Sequence, residues 1–304
     1  MNTTPSSPAP HAAPAASSKR ALVLGGGGST GNAWLIGVLA GLADAGLDVT
    51  AADRVIGTSA GSTAAAQIAG ARPAELYAAV MDAPLPRRPR PAVSPSPGSP
   101  VPNHLERTGR IIAGSATAAD MRRRMGAAAI ELAEDDDHSG RWRATVEARL
   151  TTQEWPEHEL LITAVDAATG DPAVFDSNTG VDLVDAVAAS CSSASAYRVG
   201  GRSYIDGGYR RNENADLAAG CGRVLVLSPF GGRTRMPLEW GMQLAAQVEE
   251  LHAHGSTVEV VSPDSGAEHM FGANAMDLSL RPAAAHAGYN QGKALAGKLS
   301  KFWK

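Results

Sequence analysis

The chain has 304 residues, 44% of them hydrophobic, with 27 Lys and Arg against 31 Asp and Glu for a formal net charge of −4. That length and apolar content bury a full core as one large domain, or one domain with an inserted subdomain, and the slightly acidic balance gives no reason to expect nucleic acid as a partner. No run of about 18 uncharged apolar residues offers a membrane span. The two cysteines, Cys191 and Cys221, make neither a disulfide framework nor a zinc site, so a reducing cytoplasm is the default compartment.

Residues 1–19 are a tail rich in Pro, Ala, Ser and Thr, expected to be disordered and without the continuous apolar block of a signal peptide. The first strand, 21–24, is fully apolar and runs into Gly25-Gly26-Gly27-Gly28-Ser29-Thr30-Gly31. Residues 32–47 then have helical periodicity, with Leu35, Val38, Leu39, Leu42 and Ala45 as the buried stripe and Gly46 as the stop. A second short strand, 54–56, leads to Gly57-Thr58-Ser59-Ala60-Gly61 and a run of small, helix-compatible residues, 62–69. Strand, helix, strand, helix in this order predicts a parallel sheet with helices on its faces.

Residues 84–102 alternate proline with Arg87, Arg88, Arg90 and serines, as an extended linker does. The stretches 104–134 and 141–150 predict short polar helices, separated by the acidic Asp135-Asp136-Asp137-His138. The insertion 84–158 is thus either a cap over a site or a surface excursion. Strand character returns at 159–167 and continues through a hairpin turn at Thr169-Gly170-Asp171 into 173–175. A helix at 181–189, a strand at 202–205 entering Asp206-Gly207-Gly208, a strand at Arg223–Leu227, a helix at 237–254 and a last strand at Thr257–Val261 complete the domain. The domain spans 20–292, and 293–304 is a C-terminal tail whose Phe302 and Trp303 stand among lysines. That mixture gives the one reason to expect peripheral contact with a membrane, beside the plainer reading as the exposed end of a helix.

The chemistry is concentrated in three places. A serine on a tight strand-to-helix turn presents a strained, solvent-facing hydroxyl, and the flanking glycines are needed because a Cβ would collide with the neighbouring strand and helix. This makes Ser59 a candidate nucleophile, with the positive end of the following helix aimed at any oxyanion formed beside it. The first glycine run lets backbone amides approach such an oxyanion closely.

Together, the run Gly25 to Gly31, the elbow at 57–61 and Asp206-Gly207-Gly208 resemble, in order and spacing, the signature motifs of the patatin-like phospholipase family. The segment 184–199 and Asn214-Ala215-Asp216-Leu217 resemble its bacterial members, so that the likeness extends over 21–292. The resemblance implies a three-layer α/β/α fold with a mainly parallel central sheet. It also implies a cofactor-free, metal-independent acyl hydrolase of the phospholipase A, lysophospholipase or esterase kind, acting on lipid esters. In that family's scheme Ser59 is the nucleophile and Asp206 its base, and amides of Gly26, Gly27 and Gly28 form the oxyanion hole. An aspartate with an ordinary pKa near 4 is a weak base toward serine, so Asp206 needs a desolvated, short contact.

The sequence departs from the family where Thr30 stands in place of the usual Arg or Lys, leaving only a hydroxyl as a donor. It departs again at 192–197, where a proline-containing turn is common. Two rival readings have motives. Gly26, Gly28 and Gly31 with Asp48 further on satisfy a dinucleotide-binding fingerprint, but Asp48 sits in a helix-ending turn and not at the end of a second strand. A lipid or acyl binder that keeps the fold without catalysis is the other, on the ground of Thr30. A histidine-based triad through His269 or His286 is a further variant. Asp166 and Asp176 read as turn residues, and the cysteines as small core residues.

Overall fold

The computed structural model describes residues 17–84, 104–133 and 138–304. Residues 1–16 of the expected tail, 85–103 of the linker and Asp135-Asp136-Asp137 of the acidic loop lie outside that range. Eight strands form one sheet, in the order β5-β6-β3-β2-β1-β7-β8 with β4 attached to β3. They are β1 (Arg20–Leu24), β2 (Arg54–Gly57), β3 (Glu159–Asp166), β4 (Pro172–Phe175), β5 (Tyr197–Val199), β6 (Arg202–Asp206), β7 (Arg223–Leu227) and β8 (Thr257–Val261). β1 lies parallel between β2 and β7, β3 is parallel to β2 and β8 to β7, whereas β4, β5 and β6 pair antiparallel. The sheet is therefore mixed but mostly parallel. Its central strands are unbroken apolar runs because both faces are covered.

The two faces carry different partners. Leu22, Leu24, Val55, Leu160 and Leu225 share a core with α1 (Gly28–Asp44), α2 (Ala60–Gly70), α3 (Pro73–Asp82), α7 (Leu183–Ser190) and α9 (Arg281–Trp303). Ala21, Val23, Ile56, Val224 and Val226 pack on the opposite side against α8 (Leu244–Ala253). That alternation is the period of two expected of strands buried on both sides. On the second face Met121, Met125 and Ala129 of α5 (Ala118–Ala133) bury against Val165 and Ile205. Part of the insertion thus belongs to the core. α4 (His104–Ala113) lies beside α5, while α6 (His138–Glu147) sits on α7, where the Trp142 indole donates to the Ala188 carbonyl at 3.0 Å.

α1 and α9 pack unusually close. A Cβ on Gly37 or Gly41 would stand 2.1 Å from the carbonyl oxygen of Ala285 or Tyr289, and one on Gly288 or Gly292 would stand 2.4 or 2.3 Å from that of Trp34 or Val38. Glycine at these positions lets the two backbones touch and holds the start of α9 over the first turn of α1. This overturns the expected tail at 293–304. α9 runs unbroken to Trp303, which is 2% exposed in the main core, with the Arg20 guanidinium 5.5 Å above its ring. A buried Trp303 is not available to a membrane.

Smaller boundaries also moved. α1 begins at Gly28, because the last glycines of the run already have helical partners. The helix expected over 237–254 is a 3-10 turn followed by α8, interrupted where Gly241 takes a φ of +64°.

Candidate active site

Ser59 occupies the turn between β2 and α2 with φ 53° and ψ −117°, one of two non-glycine residues with positive φ among those described. Such a conformation costs about 1–3 kcal/mol and persists only where surroundings enforce it. They do so here. A Cβ on Gly57 would meet the Ser62 Cα at 2.6 Å, and one on Gly61 would meet the Leu24 carbonyl oxygen at 1.9 Å, so β1, β2 and α2 close on the turn from three sides. The Ser59 amide donates to the Ser190 hydroxyl at 2.9 Å, and the Cys191 thiol donates to the Ser59 carbonyl at 3.1 Å. Although Ser59 is the N-cap of α2, its hydroxyl does not cap the helix.

The register of β3 brings Asp206 to this turn. Gly57 pairs with Ile162 and Asp206 with Ala164, while β4 pairs with both Ile162 and Ala164 along the other edge. β2 and β6 therefore share one edge of β3 and meet end to end at Thr163. A Cβ on Gly207 would lie 2.3 Å from the Thr163 hydroxyl, so glycine is what lets the chain turn there. Asp206 is 7% exposed. Burial pushes its carboxyl up to about 6, against the opposing pull of the Gly208 amide at 2.8 Å and of the Ser59 hydroxyl beside it. No cation contributes to that balance.

Several positioning residues could not be singled out from the chain. Asn214, in left-handed conformation at φ 54° and fully buried, donates from Nδ2 to the hydroxyls of Thr58 (2.9 Å) and Thr163 (3.1 Å) and to the carbonyls of Gly207 (3.3 Å) and Arg211 (2.6 Å). One side chain thus ties the serine turn to the aspartate turn. Its sequence signal was only its membership in a family-like segment. Asn212 accepts the Gly26 amide on its carbonyl at 3.0 Å and returns its own Nδ2 to the Gly26 carbonyl at 3.2 Å. Burial of Cys191 beside Asp206 raises its thiol to about 11 and keeps it neutral.

Two expectations need correction. The Gly26 amide, committed to Asn212, is not free to receive an oxyanion. The amides of Gly27 and Gly28 have no acceptor among the described residues, and neither does that of Ala60, the first residue of α2. Thr30 is not a replacement donor either. It is fully buried and its hydroxyl donates to the Met270 carbonyl at 2.9 Å, tying α1 to the loop before α9.

Ser59 opens into a cavity of about 430 Å³ lined also by Gly28, Asn32, Trp142, Arg149, Met276 and Arg281. Neither His269 nor His286 lines it. Both are exposed, with ring contacts to Gly266 and Asn290. Asp48 spends its carboxylate on its own turn, accepting from the Thr50 amide at 2.8 Å and hydroxyl at 2.7 Å, which leaves a dinucleotide without its ribose partner. Asp166 and Asp176 accept amides of their own turns, as expected of turn residues. No group of three or more metal-ligating side chains occurs among the described residues, and none of the helices there is long and apolar enough to cross a membrane.

An α/β/α layering with a positive-φ serine between a parallel strand and a helix, facing a buried carboxylate, defines the nucleophile-elbow class of proteins. The model of the patatin-like phospholipases matches residues 22–219, and the chain belongs to that family of lipid acyl hydrolases. No curated protein matches. Among solved structures, VipD from Legionella pneumophila is similar at 13% identity and a TM-score of 0.42, over 92% of this chain and 67% of that one. So distant a likeness adds nothing to the assignment.

Proposed function

We propose that this protein cleaves acyl esters of lipids through an acyl-Ser59 intermediate, with Asp206 as the only general base. What supports the reading is the meeting of a serine held at positive φ with a carboxylate at the end of β6 that burial lifts to about 6. A carboxylate so raised is a better proton acceptor than an exposed one and is still ionised at neutral pH. Asp206 takes the Ser59 proton as Oγ attacks the ester carbonyl carbon. The oxyanion forms beside the Gly27 and Gly28 amides and the N-terminus of α2, with the Ala60 amide as a further donor. Such preorganised donors usually supply the largest single contribution to catalysis. Collapse expels the alcohol, which takes the proton from Asp206. Water, activated by the same carboxylate, then releases the acid and restores Ser59.

The insertion supplies one wall of the site through Trp142 and Arg149, and we assign it the role of a cap. Contact with a lipid surface is assigned to the rim, where Met276 and Leu278 are 74% and 50% exposed beside the cavity. The decisive experiment is labelling with a fluorophosphonate probe together with turnover of a p-nitrophenyl ester. Wild-type protein is expected to label at Ser59 and to turn over. An unlabelled, inactive wild-type protein would make it an acyl binder instead.

A further inference from the structure

We propose that Arg281 and Arg149 form an anion-binding subsite in the Ser59 cavity, so that the preferred substrate is an acyl ester carrying an anionic phosphate on its alcohol side. This deepens the hydrolase reading and rests on it for the word substrate, though not for the binding.

Arg281 is the first residue of α9, delivered to the glycine run by the close α1–α9 contact. Its Nη1 donates to the Ser29 carbonyl at 2.8 Å and hydroxyl at 3.1 Å, and its Nη2 to the Asn32 Oδ1 at 3.2 Å. All of these acceptors are neutral. Among the described residues no carboxylate forms an ion pair with Arg281, and none of those lining the cavity is acidic. A half-buried guanidinium without a counter-charge is costly, and its unspent charge is available to a ligand.

Arg149 stands in the same cavity. Its guanidinium lies 5.3 Å over the Trp142 ring and also lacks a carboxylate partner among the described residues. The two cations repel, since Arg149 holds the pKa of Arg281 down in addition to burial. An anion between them relieves both the desolvation and the repulsion. Guanidinium groups pair with phosphate oxygens in a forked geometry, which ammonium groups cannot match. The apolar Met276 and Leu278 at the same opening suit the chain of an amphiphile better than a free ion. Apart from Asp206 behind Ser59, the rest of the described lining is neutral and offers a zwitterionic headgroup no further acid for its cation.

Binding is tested in the full chain carrying Ser59→Ala, titrated calorimetrically with dodecyl phosphate, dodecylphosphocholine and inorganic phosphate. Dodecyl phosphate is expected to bind about tenfold more tightly than either of the others, a difference of about 1.4 kcal/mol. Arg281→Gln and Arg149→Gln, each added separately, should shrink that preference at least about fivefold. Equal binding of the two amphiphiles, or a preference that neither substitution moves, would overturn the subsite. So would inorganic phosphate binding as well as dodecyl phosphate, which would mean a free-anion site. Arg281 also anchors α9 to α1, so Arg281→Gln is checked by thermal melting, and the exposed Arg149 carries the test should it not fold.

The kinetic arm separates the two readings. Wild-type kcat/KM for a lysophospholipid with a bare phosphate should exceed that for the phosphocholine ester of the same chain by about tenfold, the ratio collapsing in both variants. Hydrolysis with no charge preference removes the subsite and keeps the hydrolase. Charge-selective binding without any hydrolysis does the reverse.

Discussion

The floor and the wall of the Ser59 cavity are built in opposite ways. The floor consists of strand ends and glycines, tied together by short hydrogen bonds between backbone and buried side chains. Ser59 is pinned through its own amide and carbonyl, and Asn214 reaches two carbonyls and two hydroxyls. Its carboxylate, Asp206, is buried without a cation beside it. The wall comes from α6 and its following turn, the loop before α9 and the start of α9, and its members are longer, more exposed and cationic. A floor of that kind fixes reacting atoms to within a fraction of an ångström. A wall of that kind changes what is admitted without disturbing the chemistry, which is how one fold serves many substrates.

The contrast can be broken most violently at the floor. Ser59→Ala and Asp206→Asn should each lower kcat by about 10³-fold or more, measured on a soluble ester with folding verified by circular dichroism. An activity within tenfold of wild type in either would remove the Ser–Asp pair. Next in size, Gly61→Ala forces a methyl group onto the Leu24 carbonyl at 1.9 Å. It should destabilise the protein by about 3 kcal/mol or prevent folding, read from urea denaturation, and a loss below about 1 kcal/mol would mean that the elbow is looser than its geometry.

Asp206 gives a prediction with two signs. Its folded pKa of about 6 lies above the ordinary 3.8, so the folded state holds the proton more tightly than the unfolded chain does. Its contribution to stability is therefore fully present below about pH 4 and is lost as pH rises through about 6. Activity runs the other way, because the base must be ionised, and kcat/KM should climb through an apparent pKa near 6. Asp206→Asn should melt at a higher temperature than wild type at pH 8 while having no turnover. A lower melting temperature there would show that the ionised carboxylate is better compensated than its surroundings suggest.

Smaller effects sharpen the picture. Asn214→Gly keeps the backbone conformation but removes the bridge between the two turns, and should cost about 2 kcal/mol together with a larger loss in kcat than in KM. Thr30→Val breaks the links from its hydroxyl to the Met270 and Ala275 carbonyls. A stability loss of about 1 kcal/mol with kcat/KM within about threefold of wild type is expected. A much larger kinetic loss would return Thr30 to the oxyanion.

The floor was far more legible in the chain than the wall. The strand before Ser59, the glycines around it and the helix after it are neighbours in sequence; glycine at 57 is demanded by Ser62 of the same turn, while glycine at 61 is demanded by Leu24 of the adjacent β1. The central strands were legible because burial on both faces leaves a continuous apolar run. Asp206 emerged through its motif, since nothing in the composition of 202–208 points to Ser59. Gly26 was misjudged because the fate of its amide depends on Asn212, which no local pattern relates to it. The segment 293–304 was misjudged because its polar residues conceal Ala296, Leu299 and Trp303, which continue the stripe of Gly288 and Gly292 along α9.

Backbone sterics and hydrophobic periodicity act over a few residues, so sequence was enough for the elbow, the glycine run, the alternation β1-α1-β2-α2, and Ser59 as the candidate nucleophile. The meeting of Asp206 with Ser59 was settled by β6 and β2 sharing one edge of β3. The arrival of Arg281 beside the glycine run was settled by a helix contact close enough to exclude every side chain larger than glycine. Both are pairings between segments far apart in the chain. Their strength lies in register and close packing, which exist only after the chain has folded.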